Sequence, residues 1–162
     1  MAKFFRVALH RSAGIPASAN EVWELLTDWA GMFRWRLTAE EGGAPGPALV
    51  ACALIGEPGA VPRTRRMTLG NGAIIEEQIF YQNDETRRIY YGKSATVDVT
   101  GYVASAYVDE IDGENCTLHL SSSFDVSPDS DLAAVVARFE AIYEKAIFNG
   151  FRRYFASRAE RK

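Results

Sequence analysis

The sequence predicts an α+β fold in which a curved antiparallel sheet of seven strands wraps one long C-terminal helix, with two short helices after the first strand. Three observations predict it. The first is the stretch from Asp131 to Ala156, DLAAVVARFEAIYEKAIFNGFRRYFA. On a 3.6-residue helix, Leu132, Val136, Phe139, Tyr143, Ala146, Gly150 and Tyr154 form one stripe, widened by Val135, Ile142 and Ile147. Arg138, Lys145 and Arg152 mark the opposite, solvated face. Such a helix is roughly 40 Å long, enough to cross a small domain. The second observation is a run of strand-length apolar segments separated by tight-turn signals. The third is a capped helix near the N-terminus, too short to form a domain of its own.

Each element follows from local chemistry. Lys3 to Arg11 alternates Phe5, Val7 and Leu9 against Arg6 and His10 as a strand, and Gly14-Ile15-Pro16 is expected to break it. Ser18-Ala19-Asn20-Glu21 has the spacing of a capping box, and Val22, Trp23, Leu25, Leu26 and Trp29 follow at helical spacing. Met32 to Arg36 reads as a second short helix or turn, and Ala39 to Pro47 as a loop. Strands are expected over Ala48 to Ile55, Arg63 to Leu69, Ala73 to Tyr81, Arg87 to Lys93, Tyr102 to Ile111 and Asn115 to Asp125. Asn71-Gly72 predicts a tight hairpin with positive φ at both central positions. Ser127-Pro128 closes the sheet and opens the terminal helix. Consecutive strands joined by short turns form an antiparallel meander, and the long helix is the element able to cover its apolar face.

A chain of 162 residues reads as a single domain, 1–162, large enough to bury a core without disulfides or metals. Its 48% hydrophobic and 24% charged residues are ordinary for a soluble globular protein. A net charge of −3 draws it to neither nucleic acid nor anionic membrane, although Arg138 to Lys162 holds seven basic and three acidic residues. Cys52 and Cys116 lie in strand-like runs, read as buried small apolar residues, and build no disulfide framework. With neither a signal-like segment nor an 18-residue apolar run, the expected location is cytoplasmic, with no stable membrane insertion.

Beyond these elements, particular residues carry a family pattern. They are Ile15-Pro16-Ala17-Ser18-Ala19-Asn20-Glu21-Val22-Trp23 with Asp28, and then Gly59-Ala60-Val61-Pro62-Arg63. Glu77-Gln78-Ile79, Asp84-Glu85 and Phe124-Asp125 complete it. In this order and spacing the chain resembles the START/SRPBCC helix-grip superfamily, in particular its polyketide cyclase/dehydrase-like branch. The resemblance spans essentially the whole chain and implies a cavity between sheet and helix. It does not assign a function, since the superfamily includes lipid and hormone carriers, cyclases and small-molecule receptors. Plant hormone receptors of this fold carry a buried lysine on the second strand and a Ser-Gly-Leu-Pro gate. Here Ala48 to Ile55 has no lysine, and Leu69-Gly70-Asn71-Gly72 replaces the gate.

Candidate site residues follow from strand alternation. Ile75, Glu77, Ile79 and Tyr81 share the more apolar face of their strand, which points Glu77 inward. The resemblance implies the same placement. An inward carboxylate needs a compensating cation, and Arg63 on the neighbouring strand is the candidate. Glu77 is the candidate acid, base or ligand hydrogen-bond acceptor; the alternative is a structural Glu–Arg pair or a strand edge facing water. Ile89 and Tyr91 align with Tyr102, Ala104, Ala106 and Val108, and Leu118, Leu120, Ser122 and Phe124 line the last strand. Tyr91 and Tyr102 would offer phenols to a ligand or merely satisfy backbone groups. Phe139, Ile142, Tyr143 and Ala146 face the sheet from the helix. Trp35 closes one end of the cavity or serves as plain core. Gly150 at mid-helix implies a close approach between helix and sheet.

Other chemistries are set aside. Cys116 and His119, three apart on a strand, point to opposite faces, so no metal is expected and no cofactor is called for. Ser121-Ser122-Ser123 lacks the glycines of a nucleophile elbow. Gly70-Asn71-Gly72 leads into no helix and is not a phosphate loop. Alternation splits Arg63-Thr64-Arg65-Arg66 between faces, against nucleic-acid binding. The leading expectation is binding of an apolar or aromatic small molecule, lipid-like or polyketide-like. The alternative is a cyclase or dehydratase in which Glu77 with Tyr91 or Arg63 moves protons. Phe148, Phe151 and Phe155 widen the apolar surface of the helix, so that end is either deeply buried or docks a partner as in a homodimer.

Overall fold

The computed structural model describes residues 3–160. Seven strands form one antiparallel sheet: β1 Phe5–Ile15, β2 Leu49–Ile55, β3 Arg63–Leu69, β4 Ile74–Asn83, β5 Arg88–Lys93, β6 Val99–Glu110 and β7 Cys116–Val126. Their order across the sheet is β1-β7-β6-β5-β4-β3-β2, so β1 and β2 are the two edges. Helix α1, Ala19–Thr27, and a 3-10 turn, Met32–Arg34, precede the meander. The terminal helix runs as α2 Leu132–Ala141, a π-helical segment Ile142–Phe148, and α3 Asn149–Ala159. Together these elements make the helix-grip fold. None of the described helices is long and apolar enough to cross a membrane.

Ser18 caps α1 as a complete capping box, its side chain accepting from the Glu21 amide while Glu21 bonds back to Ser18. Asp131 does the same duty for α2 by accepting from Ala134 N. Alternation buries one face of the meander. Tyr102, Ala104, Ala106 and Val108 on β6 and Leu118, Leu120, Ser122 and Phe124 on β7 are all buried.

Four local expectations need correction. Strand β1 is not broken at Gly14, which pairs with Thr117 and extends the strand to Ile15. At Asn71-Gly72, only Gly72 has positive φ (83°). Gly72 N donates to Leu69 O and Leu69 N to Ala73 O, so Gly70 to Gly72 form a three-residue loop. On β4 the register shifts between Ile79 and Tyr81, so alternation fails there and Phe80 and Tyr81 are both exposed.

The fourth correction is in the long helix. The Asn149 amide donates to Glu144 O, five residues back, which is the signature of a π turn. The extra residue rotates everything after it. The buried positions run Val135, Phe139, Tyr143 and Ala146, then Phe148, Phe151 and Phe155, while Tyr154 is only half-buried. Those three phenylalanines are therefore core of this chain and do not form a surface for a second copy. Gly150 meets the loop rather than the sheet: a Cβ there would lie 2.2 Å from the Trp35 carbonyl oxygen.

Candidate functional site

Between the sheet and the π-helical segment lies a cavity of about 600 Å³, in the range of small-molecule sites. Its helix wall is Phe139, Ile142, Tyr143, Ala146 and Ile147, and Trp35 and Leu37 line it from the segment after the 3-10 turn. The sheet wall carries Met67, Ile75, Tyr91 and Tyr102 among its apolar and aromatic groups. Six charged side chains also line it: Arg36, Arg65, Glu77, Lys93, Asp98 and Arg138.

The polar centre is built by strand register. Glu77 on β4 stands opposite Arg65 on β3 and Lys93 on β5, so the three form one row across the concave face. Arg65 Nε donates to Glu77 Oε2 at 2.7 Å, and Arg65 Nη2 donates to the same oxygen. Arg65 is held on its other sides as well. Its Nη1 donates to Trp29 O at 3.2 Å, and its guanidinium lies 3.7 Å from the Trp29 ring centre. Both bonds from Arg65 fall on Oε2, which leaves Oε1 of Glu77 to accept from a ligand. Lys93 Nζ sits 4.7 Å from the ring centres of both Tyr102 and Phe139.

Arg63, expected beside Glu77, is elsewhere. It is buried, but it pairs across the sheet with Ile79 and donates to Gln82 Oε1 at 2.7 Å and Ala60 O at 3.0 Å. It does not line the cavity. The register decides it: the three-residue loop sets Leu69 opposite Ala73 and so Arg65 opposite Glu77 and Arg63 opposite Ile79, whereas a two-residue turn would have set Arg66 opposite Glu77.

The other candidates converge. Tyr91, Tyr102, Phe139, Ile142, Tyr143, Ala146 and Trp35 all line the cavity with Glu77. The Tyr143 hydroxyl donates to Ser122 Oγ at 2.6 Å. Burial pushes the phenols of Tyr91, Tyr102 and Tyr143 above their ordinary values, and nearby Glu77 adds to the rise in each. These hydroxyls are therefore proton donors at neutral pH. Trp35 is both wall and core, since its ring packs 4.7 Å from Phe151.

Sequence reasoning missed Arg65, Lys93, Arg36 and Asp98, and it set Arg138 on the solvated face of the helix, whereas Arg138 pairs with Asp98 and lines the cavity. Lys93 follows Tyr91 by two residues and Arg65 follows Arg63 by two, so alternation alone places each inward. Arg36 lies on a loop, where no periodicity reports direction. Among the described residues no cluster of three or more His, Cys, Asp or Glu side chains gathers to hold a metal.

Comparisons agree with this geometry. Residues 6–155 match the model of a family described as polyketide cyclase/dehydrase and lipid transport. A search of curated proteins finds no matching sequence. Among solved structures, the chain resembles Zhui aromatase/cyclase from Streptomyces sp. R1128 (17% identity, 97% of this chain and 95% of that one, TM-score 0.72). It also resembles the protein XoxI from Bacillus cereus (19% identity, 94% and 98%, TM-score 0.74). A third is norcoclaurine synthase from Thalictrum flavum (18% identity, 98% and 89%, TM-score 0.65). At these identities the likeness is one of fold.

Proposed function

Because the chain belongs to the polyketide cyclase/dehydrase and lipid transport family, we propose that it binds one apolar or aromatic small molecule, lipid-like or polyketide-like, between sheet and helix. The observation that carries this reading is the 600 Å³ cavity with apolar walls and a few convergent polar groups. In this reading the chain acts as one domain. Phe139, Ile142, Tyr143, Ala146 and Trp35 seat the ligand body, while Glu77, Tyr91 and Tyr102 orient it. In this reading the chain works in the cytoplasm, where the thiols of Cys52 and Cys116 stay reduced.

Native mass spectrometry of the purified protein, followed by denaturing extraction, tests the proposal. The expected result is a co-purifying apolar compound near one equivalent, whose mass identifies its class. A protein that emerges empty and takes up no apolar probe overturns it.

A second reading is favoured by one specific observation, the carboxylate of Glu77 beside phenols that burial keeps protonated. In a cyclase or dehydratase, Glu77 would take a proton from a carbon between two carbonyls. The resulting carbanion would attack a ketone within the folded chain, forming a carbon–carbon bond. Tyr91 or Arg65 would protonate or stabilise the alkoxide, and loss of water would follow. The Glu77→Gln variant discriminates: turnover retained by it excludes Glu77 as the acid–base group, whereas ligand binding is expected to survive.

A further inference from the structure

The charges of the cavity wall do not balance. Four cations and two carboxylates face it. Arg65 pairs with Glu77, and Arg138 Nη2 lies 2.8 Å from Asp98 Oδ2. Lys93 and Arg36 remain, and neither makes an ion pair with a carboxylate among the described residues. Burial is the largest influence on both, pushing each below its ordinary pKa; Arg65 pushes Arg36 the same way, and Arg138 and Arg36 push Lys93 so, while Glu77 draws both upward and Asp98 draws Lys93 upward. Lys93 is held by two aromatic faces, which attract a cation but do not neutralise it.

A neutral ligand filling this space would strip water from two cations that the two carboxylates, already paired with Arg65 and Arg138, offset only in part, which is unfavourable. An acidic ligand would supply the missing counter-charge through charge-assisted hydrogen bonds. We infer that the ligand is an amphiphilic acid, whose apolar body rests on the helix wall and whose anionic group is taken by Lys93 and Arg36. This inference rests on the binding reading above and narrows its ligand class.

The test compares two fluorescent probes that differ by one acid group, anilinonaphthalene sulfonate and its uncharged parent N-phenylnaphthylamine. The sulfonate is expected to bind tighter by about tenfold or more, the worth of one charge-assisted bond. Lys93→Met and Arg36→Gln are each expected to erase most of that preference, weakening the sulfonate while the uncharged parent binds no more weakly than to the wild type. Lys93→Arg, which keeps the charge, is expected to retain it. Competition separates the sources of the acid group. Dodecanoate displacing the sulfonate better than dodecyl phosphate indicates a carboxylate, the reverse order a phosphate, and either supports the inference provided dodecanol displaces poorly. Equal affinity for the two probes, or a preference that survives both charge-removing substitutions, overturns the inference and leaves the binding reading standing. Binding of neither probe overturns both.

Discussion

Two arginine–glutamate pairs sit one residue apart on β3 and β4. Arg65 faces Glu77 across the concave side, and Arg66 faces Glu76 across the convex side. Their geometry is alike: Arg66 Nε donates to Glu76 Oε1 at 2.7 Å, matching the 2.7 Å from Arg65 Nε to Glu77 Oε2. Their surroundings are not. The inner side chains are 9% and 12% exposed, the outer ones 51% and 41%. The same chemistry thus appears twice, once dissolved in water and once locked under a tryptophan beside a cavity. Burial, not residue type, separates a pair that matters from a decorative one.

The largest break in that comparison comes from removing one carboxylate. Glu77→Ala leaves a buried guanidinium without its counter-ion and is expected to cost about 3 kcal/mol in urea unfolding. Glu76→Ala should change stability by no more than about 0.5 kcal/mol. Equal losses would mean that the inner pair is as well hydrated as the outer one.

A smaller contrast sharpens the role of shape. Arg65→Lys keeps the charge but loses the two-pronged grip on Glu77 and the stacking on Trp29, with an expected loss of about 1–2 kcal/mol. Arg66→Lys should be silent in the same thermal or urea assay. Tyr143→Phe removes the donor to buried Ser122, and about 1 kcal/mol is expected.

The smallest effect is one of pH. Lys93 has a folded pKa below its ordinary 10.5, chiefly from burial. Over the window between the folded value and 10.5, the unfolded chain binds more protons than the folded one, so folding gains stability as pH rises. The cost of keeping Lys93 charged in the cavity therefore shrinks on the alkaline side. Lys93→Met should be more stable than the parent near neutrality, with the gap narrowing as pH approaches 10.5. A gap constant with pH would place the Lys93 ammonium in water.

Much of this was legible in the residues, and the failures are instructive. Alternation placed Glu77, Tyr91 and Tyr102 on the concave face, because a strand's period of two is geometrically strict. The partner of Glu77 was not legible to the same degree. The register follows from the loop: three residues set Arg65 opposite Glu77, a two-residue turn would set Arg66 there, and neither sets Arg63 there. Asn71-Gly72 is compatible with both. The bulge after Ile79 likewise ended the alternation that would have turned Tyr81 inward. In the helix, the 3.6 stripe held through Ala146 and then slipped by one residue, since a π turn has no compositional mark. Gly150 was the local hint, and its reason lies in the backbone of Trp35, 115 positions earlier in the chain.

That wide turn has a further meaning for the chain as a length of polymer. A π segment holds one residue more than the α-helix it interrupts, and the flanking helices already keep their own registers. Deleting exposed Lys145 would tighten the segment into ordinary α-helix and leave Phe151 and Phe155 on the stripe that Phe139 and Tyr143 begin. A single-residue deletion, which elsewhere in a helix throws every later side chain about 100° out of phase, is here the conservative edit. The ceiling of the cavity is thus where a change in length is expected to be tolerated: the Lys145 deletion should keep one cooperative urea transition, and loss of that transition would show the extra residue to be required.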